Sequence, residues 1–282
     1  MPARGVLGAL DTVRAWTLGS GSSGNALLVE SGTHRILIDC GFGPRAIVTR
    51  LKAIGIAPES ISALVLTHEH IDHAHGAERA QKKYRWPVYA SAGTLSALRE
   101  IEPRWRQPLG AGSTTAVDGF TLEAIAVPHD ASGPMAFVIT AQESGARVGV
   151  AHDLGAVPDA LVRAFAGCDA LCLEANHDVE MLQNGPYPRH LQERIRGGRG
   201  HISNATCATL AATLAGPSLR AVTLLHLSEV NNTPSLAERA VTEGMRRTPY
   251  RGPVQAAPRR SAGVAFALTA RAQVSVQLTL GV

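Results

Sequence analysis

The segment His68-Glu69-His70-Ile71-Asp72-His73 constrains this chain more than any other, because it packs four metal-ligand side chains into one short turn. His68 and His70 alternate as residues at a strand end do, so both imidazoles leave the backbone on one side. Asp72 and His73 come round the following bend to face a second point, which makes two adjacent metals the natural reading. The preceding Ile61-Ser62-Ala63-Leu64-Val65-Leu66-Thr67 is apolar and β-branched, a buried strand, and Ala74-His75-Gly76-Ala77 opens a helix. The ligands are therefore expected in a strand-to-helix loop, where a rigid scaffold fixes them.

The run Thr67-His68-Glu69-His70-Ile71-Asp72-His73 resembles the signature of the metallo-β-lactamase-fold hydrolases. The resemblance implies an α/β fold, a four-layer αββα sandwich made as a single domain (1–282) of two pseudo-symmetric halves. It also implies two metal ions and three further ligands, which the chain supplies in order after strand-like runs. His129 follows the run 120–127, Asp153 follows 147–151 and His226 follows 221–225. In this reading His68, His70 and His129 hold metal one, Asp72, His73 and His226 hold metal two, and Asp153 joins both. A His-rich set with two carboxylates suits zinc and accepts manganese.

Composition sets the outer bounds. A chain of 282 residues with 45% hydrophobic content can build a large core, and nothing in it reads as a linker. No apolar stretch approaches the ~20 residues of a membrane span, and no basic-then-apolar leader precedes the first strand, so a cytoplasmic protein is expected. Cys40, Cys168, Cys172 and Cys207 lie in apolar contexts without a Cys-x-x-Cys pair and are expected as buried free thiols. The net charge of +4 permits a polyanionic partner without establishing one. Only Lys52, Lys82 and Lys83 among the 27 basic residues are lysines, a bias that reflects genome composition more than recognition. Placement says more. Arg189, His190, Arg194, Arg196, Arg199 and His201 form one cluster, and Arg246, Arg247, Arg251, Arg259 and Arg260 a second; each is either an anion-binding surface or a solvated face. Helical spacing would put Arg196 and Arg199 on one face and Arg194 away from it.

Strands are expected near 14–18, 26–30 and 35–39, then a helix over 44–54. The ligand strand, a helix over 75–85, a strand at 87–91, a helix at 93–100 and three strands up to about 151 complete the first half. Helices near 157–166, 189–197, 203–215 and 234–246 then alternate with strands at 169–174 and 221–226, and strands close the chain.

A second motif begins at Leu173-Glu174-Ala175-Asn176-His177-Asp178, passes Gly185-Pro186-Tyr187-Pro188 and ends at Gly200-His201-Ile202-Ser203-Asn204-Ala205. Ser203 and Asn204 start an Ala/Thr/Leu-rich helix whose N-terminal amides and dipole can hold a phosphate, although Ser203 serves equally as a plain helix cap. This stretch closely resembles the YycJ/WalJ-type nucleases of the same fold, bacterial proteins associated with DNA exonuclease activity. The loop Gly19-Ser20-Gly21-Ser22-Ser23-Gly24-Asn25, Leu37-Ile38-Asp39-Cys40-Gly41, His129-Asp130-Ala131 and His226-Leu227-Ser228-Glu229-Val230-Asn231-Asn232 carry the same likeness, over about residues 14–268. Glu174 and His201 also resemble the Glu and Gly-His-Ser residues of ribonuclease Z.

The resemblance implies a dinuclear phosphodiester hydrolase, first of all a 5′-to-3′ DNA exonuclease serving DNA repair, with a metal-bridging hydroxide as nucleophile. Asp72 would orient that hydroxide and His201, held by Glu174, would be the general acid. Ser203, Asn204, Arg194, Arg196 and Arg199 would meet substrate phosphates, and the partner would be nucleic acid, DNA ahead of RNA. A small-molecule or cyclic-nucleotide phosphodiesterase is the alternative, and a thioesterase-type hydrolase the third class. Asp39 is expected to orient the ligand loop, while His177 receives no primary role, a supporting hydrogen bond being the lesser reading for it. His34, His75, His152 and His190 receive no primary role. The loop at 19–25 reads either as a phosphate contact or as a tight turn. Two features depart from the family pattern: His152 stands before Asp153 where a small residue is usual, and an extra strand-like run occupies 273–280.

Overall fold

In the computed structural model, which describes residues 12–269, two seven-stranded sheets lie face to face; the run 273–280 lies outside the described residues. The first sheet contains β1 (Thr12–Gly19), β2 (Ala26–Ser31), β3 (His34–Ile38), β4 (Ala63–Val65), β5 (Val88–Ser91) and β6 (Arg106–Leu109). The second contains β7 (Thr114–Val117), β8 (Phe120–Ala126), β9 (Met135–Ala141), β10 (Arg147–Ala151), β11 (Ala170–Glu174), β12 (Ala221–Leu225) and β13 (Val254–Ala256), while β14 (Gly263–Thr269) returns to pair with β1. Their orders are β14-β1-β2-β3-β4-β5-β6 and β13-β12-β11-β10-β9-β8-β7. From β14 to β3 and from β7 to β10 the pairing is antiparallel; from β3 to β6 and from β10 to β13 it is parallel. The two halves thus repeat one plan.

Period-two patterning decides which side chains meet. In β9, Met135, Phe137, Ile139 and Ala141 enter the core between the sheets, whereas Ala136 and Val138 pack outward under helices. β2, β4, β11 and β12 are buried throughout, and β10 is from Val148 onward, as strands covered on both faces must be. Outside the first sheet lie α1 (Pro44–Ala53), α3 (Ala77–Tyr84) and α4 (Ala92–Ala97), which contribute Ile47, Leu51, Ala80 and Leu95 to its outer core. Outside the second lie α5 (Asp159–Phe165), α8 (Asn204–Leu214) and α9 (Pro234–Gly244), which contribute Phe165, Leu210, Leu214 and Val241. The layering is αββα.

Three local expectations are corrected. Five strands, not three, fall between residues 100 and 151, because β6 and β7 are short, polar edge strands and β6 carries Pro108. Residues 71–74 form a separate helix, α2 (Ile71–Ala74), before Gly76 caps α3. Beyond β11 come a short helix that was not expected, α6 (Val179–Asn184), and α7 (Arg189–Arg196). Since α7 ends at Arg196, Arg199 lies in the loop beyond it and the helical-face argument does not reach that residue. All four cysteines are free and buried, and burial pushes the Cys40 and Cys172 thiols up to about 12.

Candidate metal centre

Strand ends deliver the site. Asp39 follows β3, His68 follows β4, His129 follows β8, Asp153 follows β10, Glu174 ends β11 and His226 follows β12. Asp39, Asp153 and His226 adopt positive φ values of 62°, 42° and 54°, a left-handed backbone that costs energy away from glycine and concentrates at functional sites. Gly41 permits a close approach of two loops: a Cβ there would overlap the Asp72 carbonyl.

Two donor sets assemble, with Asp153 in both. His68, His70, His129 and Asp153 form one, and Asp72, His73, Asp153 and His226 the other, the donor atoms of each lying within 4.8 Å of one another. Asp153 Oδ2 stands 3.5 Å from His68 Nε2, 3.3 Å from His73 Nε2 and 3.6 Å from His129 Nε2, and His70 Nδ1 is 3.3 Å from His129 Nε2. Ligands bound at about 2.0–2.1 Å around one tetrahedral ion stand roughly 3.3 Å apart, so these spacings fit the edges of such a shell. His68 Nε2 is buried without a hydrogen-bond partner, and His226 Nδ1 lies 2.8 Å from Asp153 Oδ1, both atoms again unsatisfied by hydrogen bonds. The donor chemistry fits divalent cations.

The imidazoles of His70, His73 and His129 are each aimed by the other nitrogen. His129 Nδ1 donates to the Gly200 carbonyl at 2.9 Å, and His70 Nε2 to the Asp130 carbonyl at 3.3 Å. Asp39 Oδ2 accepts from both His73 Nδ1 at 2.7 Å and His152 Nδ1 at 2.8 Å, while Asp39 Oδ1 accepts the Thr67 backbone N–H at 2.8 Å. Fully buried Asp39 therefore orients the ligand loop, as expected. His152, which received no role from sequence, ties the strand end that carries Asp153 to the sheet that carries Asp39. Asn25 organises the glycine-serine loop: its side chain accepts from Gly21 N–H at 2.8 Å and donates to the Gly21 carbonyl, and its backbone N–H donates to the Asp72 carbonyl at 2.7 Å.

Electrostatics follow from this packing. Burial pushes the Asp153 carboxyl up, but His226 and His73 outweigh it and hold it well below the usual carboxylate range. Burial opposes a charge on His73, yet the flanking Asp153 and Asp39 raise it well above its ordinary value. Burial, reinforced by His73, lowers His68 well below its own. Ionised carboxylates set among buried imidazoles constitute a place that draws cations.

Beside both sets stands His201. Its Nδ1 meets Glu174 Oε1 at 2.6 Å, and Glu174 Oε2 is fixed by the backbone N–H groups of Leu154 at 2.7 Å and Ile202 at 3.3 Å. Burial lowers the His201 pKa, but the Glu174 charge and hydrogen bond prevail and raise it to about 9. The His201 ring centre lies 5.2 Å from that of His129 and 5.3 Å from that of His226. A cleft of about 350 Å³ opens over the donors, lined among others by His70, Asp72, Asp153, Arg194, His201 and His226.

The structure does not bring every expected residue to that cleft. Asn204 is buried and joined reciprocally to Asn232, with side-chain hydrogen bonds of 3.0 and 2.8 Å, and its N–H donates to the His177 carbonyl. The Ser203 hydroxyl caps α8 through Thr206 N–H at 3.2 Å. Neither lines the cleft. Arg194 does, whereas exposed Arg199 bonds the His129 carbonyl at 3.3–3.4 Å and Arg196 projects from the end of α7. Arg189 pairs with Glu193 one turn on. In the second basic cluster, Arg259 clasps the Ser228 and Asn232 carbonyls and Arg251 bonds its own turn, so those two serve structure. The His177 imidazole gives no hydrogen bond to a ligand; its Nδ1 is buried without a partner, and burial lowers it to about 4. Sequence reasoning also passed over Glu69, which accepts Ser132 N–H at 2.7 Å, and Asp130, whose place directly after His129 was the available signal.

Residues 34–227 match the β-lactamase superfamily domain. The chain belongs to that superfamily. Its hydrolase members include Exodeoxyribonuclease WalJ of Streptococcus pneumoniae, to which the chain is 31% identical over 226 residues, covering 78% of this chain and 83% of that protein. Exodeoxyribonuclease YycJ of Bacillus anthracis is likewise 31% identical, over 80% of this chain and 86% of its own length. Ribonuclease Z of Mycobacterium sp. strain KMS is 28% identical, over 80% and 73%. The metallo-β-lactamase-fold protein YhfI of Bacillus subtilis superposes with a TM-score of 0.69 at 16% identity, covering 90% of this chain and 99% of that one, which shows the shared fold. The β-lactamase-superfamily chain described here is accordingly an enzyme of the hydrolase class, with His/Asp clusters able to bind metal.

Proposed function

We propose that this protein is a dinuclear metal-dependent phosphodiesterase whose substrate is nucleic acid, first of all a 5′-to-3′ DNA exonuclease. The observation that carries the reading is the Glu174–His201 pair standing about 5 Å from ligand rings of both donor sets. A thioesterase has less need of a charged acid there, because a thiolate departs with less help than an alkoxide. The names of the WalJ, YycJ and ribonuclease Z relatives support the same class.

His68, His70, His129 and Asp153 would hold one divalent ion, and Asp72, His73, Asp153 and His226 the other, zinc or manganese by donor type. Such ions acidify water and offset phosphoryl charge. Around them this chain's residues do the positioning. Glu174 fixes the His201 tautomer through Nδ1 and so leaves Nε2 to protonate the departing oxygen. Asp72, whose Oδ2 lies 3.4 Å from Asn25 Nδ2, is held at the cleft to orient the attacking oxygen. Arg194 offers the phosphate a guanidinium. The setting proposed with this activity is cytoplasmic DNA repair, where thiols such as the four buried ones stay reduced.

The test is incubation with end-labelled single- and double-stranded DNA and RNA, with zinc and with manganese. Processive shortening of DNA from the 5′ end supports the proposal. Hydrolysis confined to cyclic nucleotides or small phosphodiesters would replace it with the small-molecule reading.

A further inference from the structure

Of the described residues lining the cleft, Arg194 alone carries a permanent positive charge, against Asp72, Asp130 and Asp153. Its Nε and Nη2 both bond Asp130 Oδ2, at 3.1 and 2.5 Å. The other oxygen of the same carboxylate, Oδ1, points inward: it lies 3.3 Å from His129 Nε2 and 3.8 Å from His70 Nε2, at the open side of the first donor set. One anion thus spans the distance between the arginine and the first set of ligands. A phosphate, with several oxygens, matches that span and also suits the guanidinium fork, which a single carboxylate oxygen leaves half used.

The helix carrying Arg194 is lightly attached to the body of the protein. No residue of α7 is buried, and Leu191 and Ile195 face the cleft rather than a core. At its C-terminal end it is attached to the body by His201 N–H on the Ile195 carbonyl and by the Arg194–Asp130 pair. The Arg194 side chain is 68% exposed, and ion pairs so exposed are weak enough to be exchanged.

We propose that Arg194 and Asp130 form a substrate-displaced latch: Asp130 holds the α7 arginine over the cleft, and a phosphate group entering the site takes the guanidinium from it. This rests on the phosphodiester reading above. Asp130 is then an internal competitor of the substrate and a positioning residue, acting through Arg194.

The experiment titrates the metal-loaded protein calorimetrically with inorganic phosphate, with metal content measured for every variant. Asp130→Asn should tighten phosphate binding by about two- to fivefold, the scale of an exposed ion pair. Arg194→Ala should weaken it, and Asp130→Asn should have no further effect in the Arg194→Ala background. Hydrogen exchange at the amides of α7 should quicken in Asp130→Asn without phosphate. Equal tightening in both backgrounds would show Asp130 to be only a repelling charge and overturn the latch, as would unchanged binding or unchanged exchange in Asp130→Asn. Failure of the wild-type protein to bind phosphate would instead overturn the phosphodiester reading, and the latch with it.

Discussion

Replacing Glu174 by Gln keeps the volume of a fully buried side chain while removing its charge. The native carboxylate accepts three hydrogen bonds, one from His201 and two from backbone N–H groups. A glutamine has one acceptor oxygen, which the two backbone donors will claim, leaving its NH2 group facing His201 Nδ1. The imidazole then loses the partner that holds its pKa at about 9, and burial, the largest influence on it, carries it below the ordinary 6.5. The sign of the stability effect follows. A histidine raised on folding contributes its full stabilisation below pH 6.5 and loses it as pH rises through about 9. The gap between those values, at about 1.4 kcal/mol per pH unit, is worth roughly 3 kcal/mol. Because the His201 side chain is 21% exposed and cations held nearby would repel its proton, that figure is an upper value and belongs to the metal-free protein. Urea unfolding of metal-free wild-type and Glu174→Gln protein should therefore differ most at pH 6 and converge toward pH 10. In the metal-loaded enzyme, Glu174→Gln should move the alkaline limb of the rate profile downward in pH and lower the rate on DNA by ~10²–10⁴-fold, with a much smaller loss on a substrate bearing a nitrophenolate leaving group. A stability difference that does not change with pH would refute the electrostatic argument, and equal rate losses on both substrates would refute the acid role.

Metal analysis under saturating supply should give two ions per chain, and His73→Ala or His226→Ala should empty one site while sparing the other; loss of both ions together would contradict the partition. His152→Ala removes a donor from buried Asp39, so it should cost about 1–3 kcal/mol by thermal denaturation and weaken the second metal about 10–100-fold, and an unchanged metal affinity would leave His152 as packing alone. Asn204→Ala breaks the reciprocal pair with Asn232 and should also cost about 1–3 kcal/mol, yet phosphate affinity measured by calorimetry should stay as in the wild type. A large fall in that affinity would restore Asn204 to the substrate site.

The His/Asp donor clusters able to hold metal were legible in sequence because their spacing is local chemistry: four donors in one turn, and three more each at the end of an apolar run. Alternating strand and helix patterns made α/β layering legible, whereas the αββα arrangement was implied only by the resemblance that the histidine motif carries. What sequence could not contain is the meeting of residues far apart in the chain. Asp39 and His152 are 113 positions apart and share one hydrogen bond. That Asn204 turns to a side-chain partner instead of lining the cleft depended on Asn232, and whether Arg194 or Arg199 lines the cleft depended on where α7 stops. The positive φ angles of Asp39, Asp153 and His226 likewise exist only because the surrounding packing imposes them. Local patterns selected the elements and the donor atoms; contacts between the two sheets decided which donors face a common point, and which polar side chains were already occupied in holding them there.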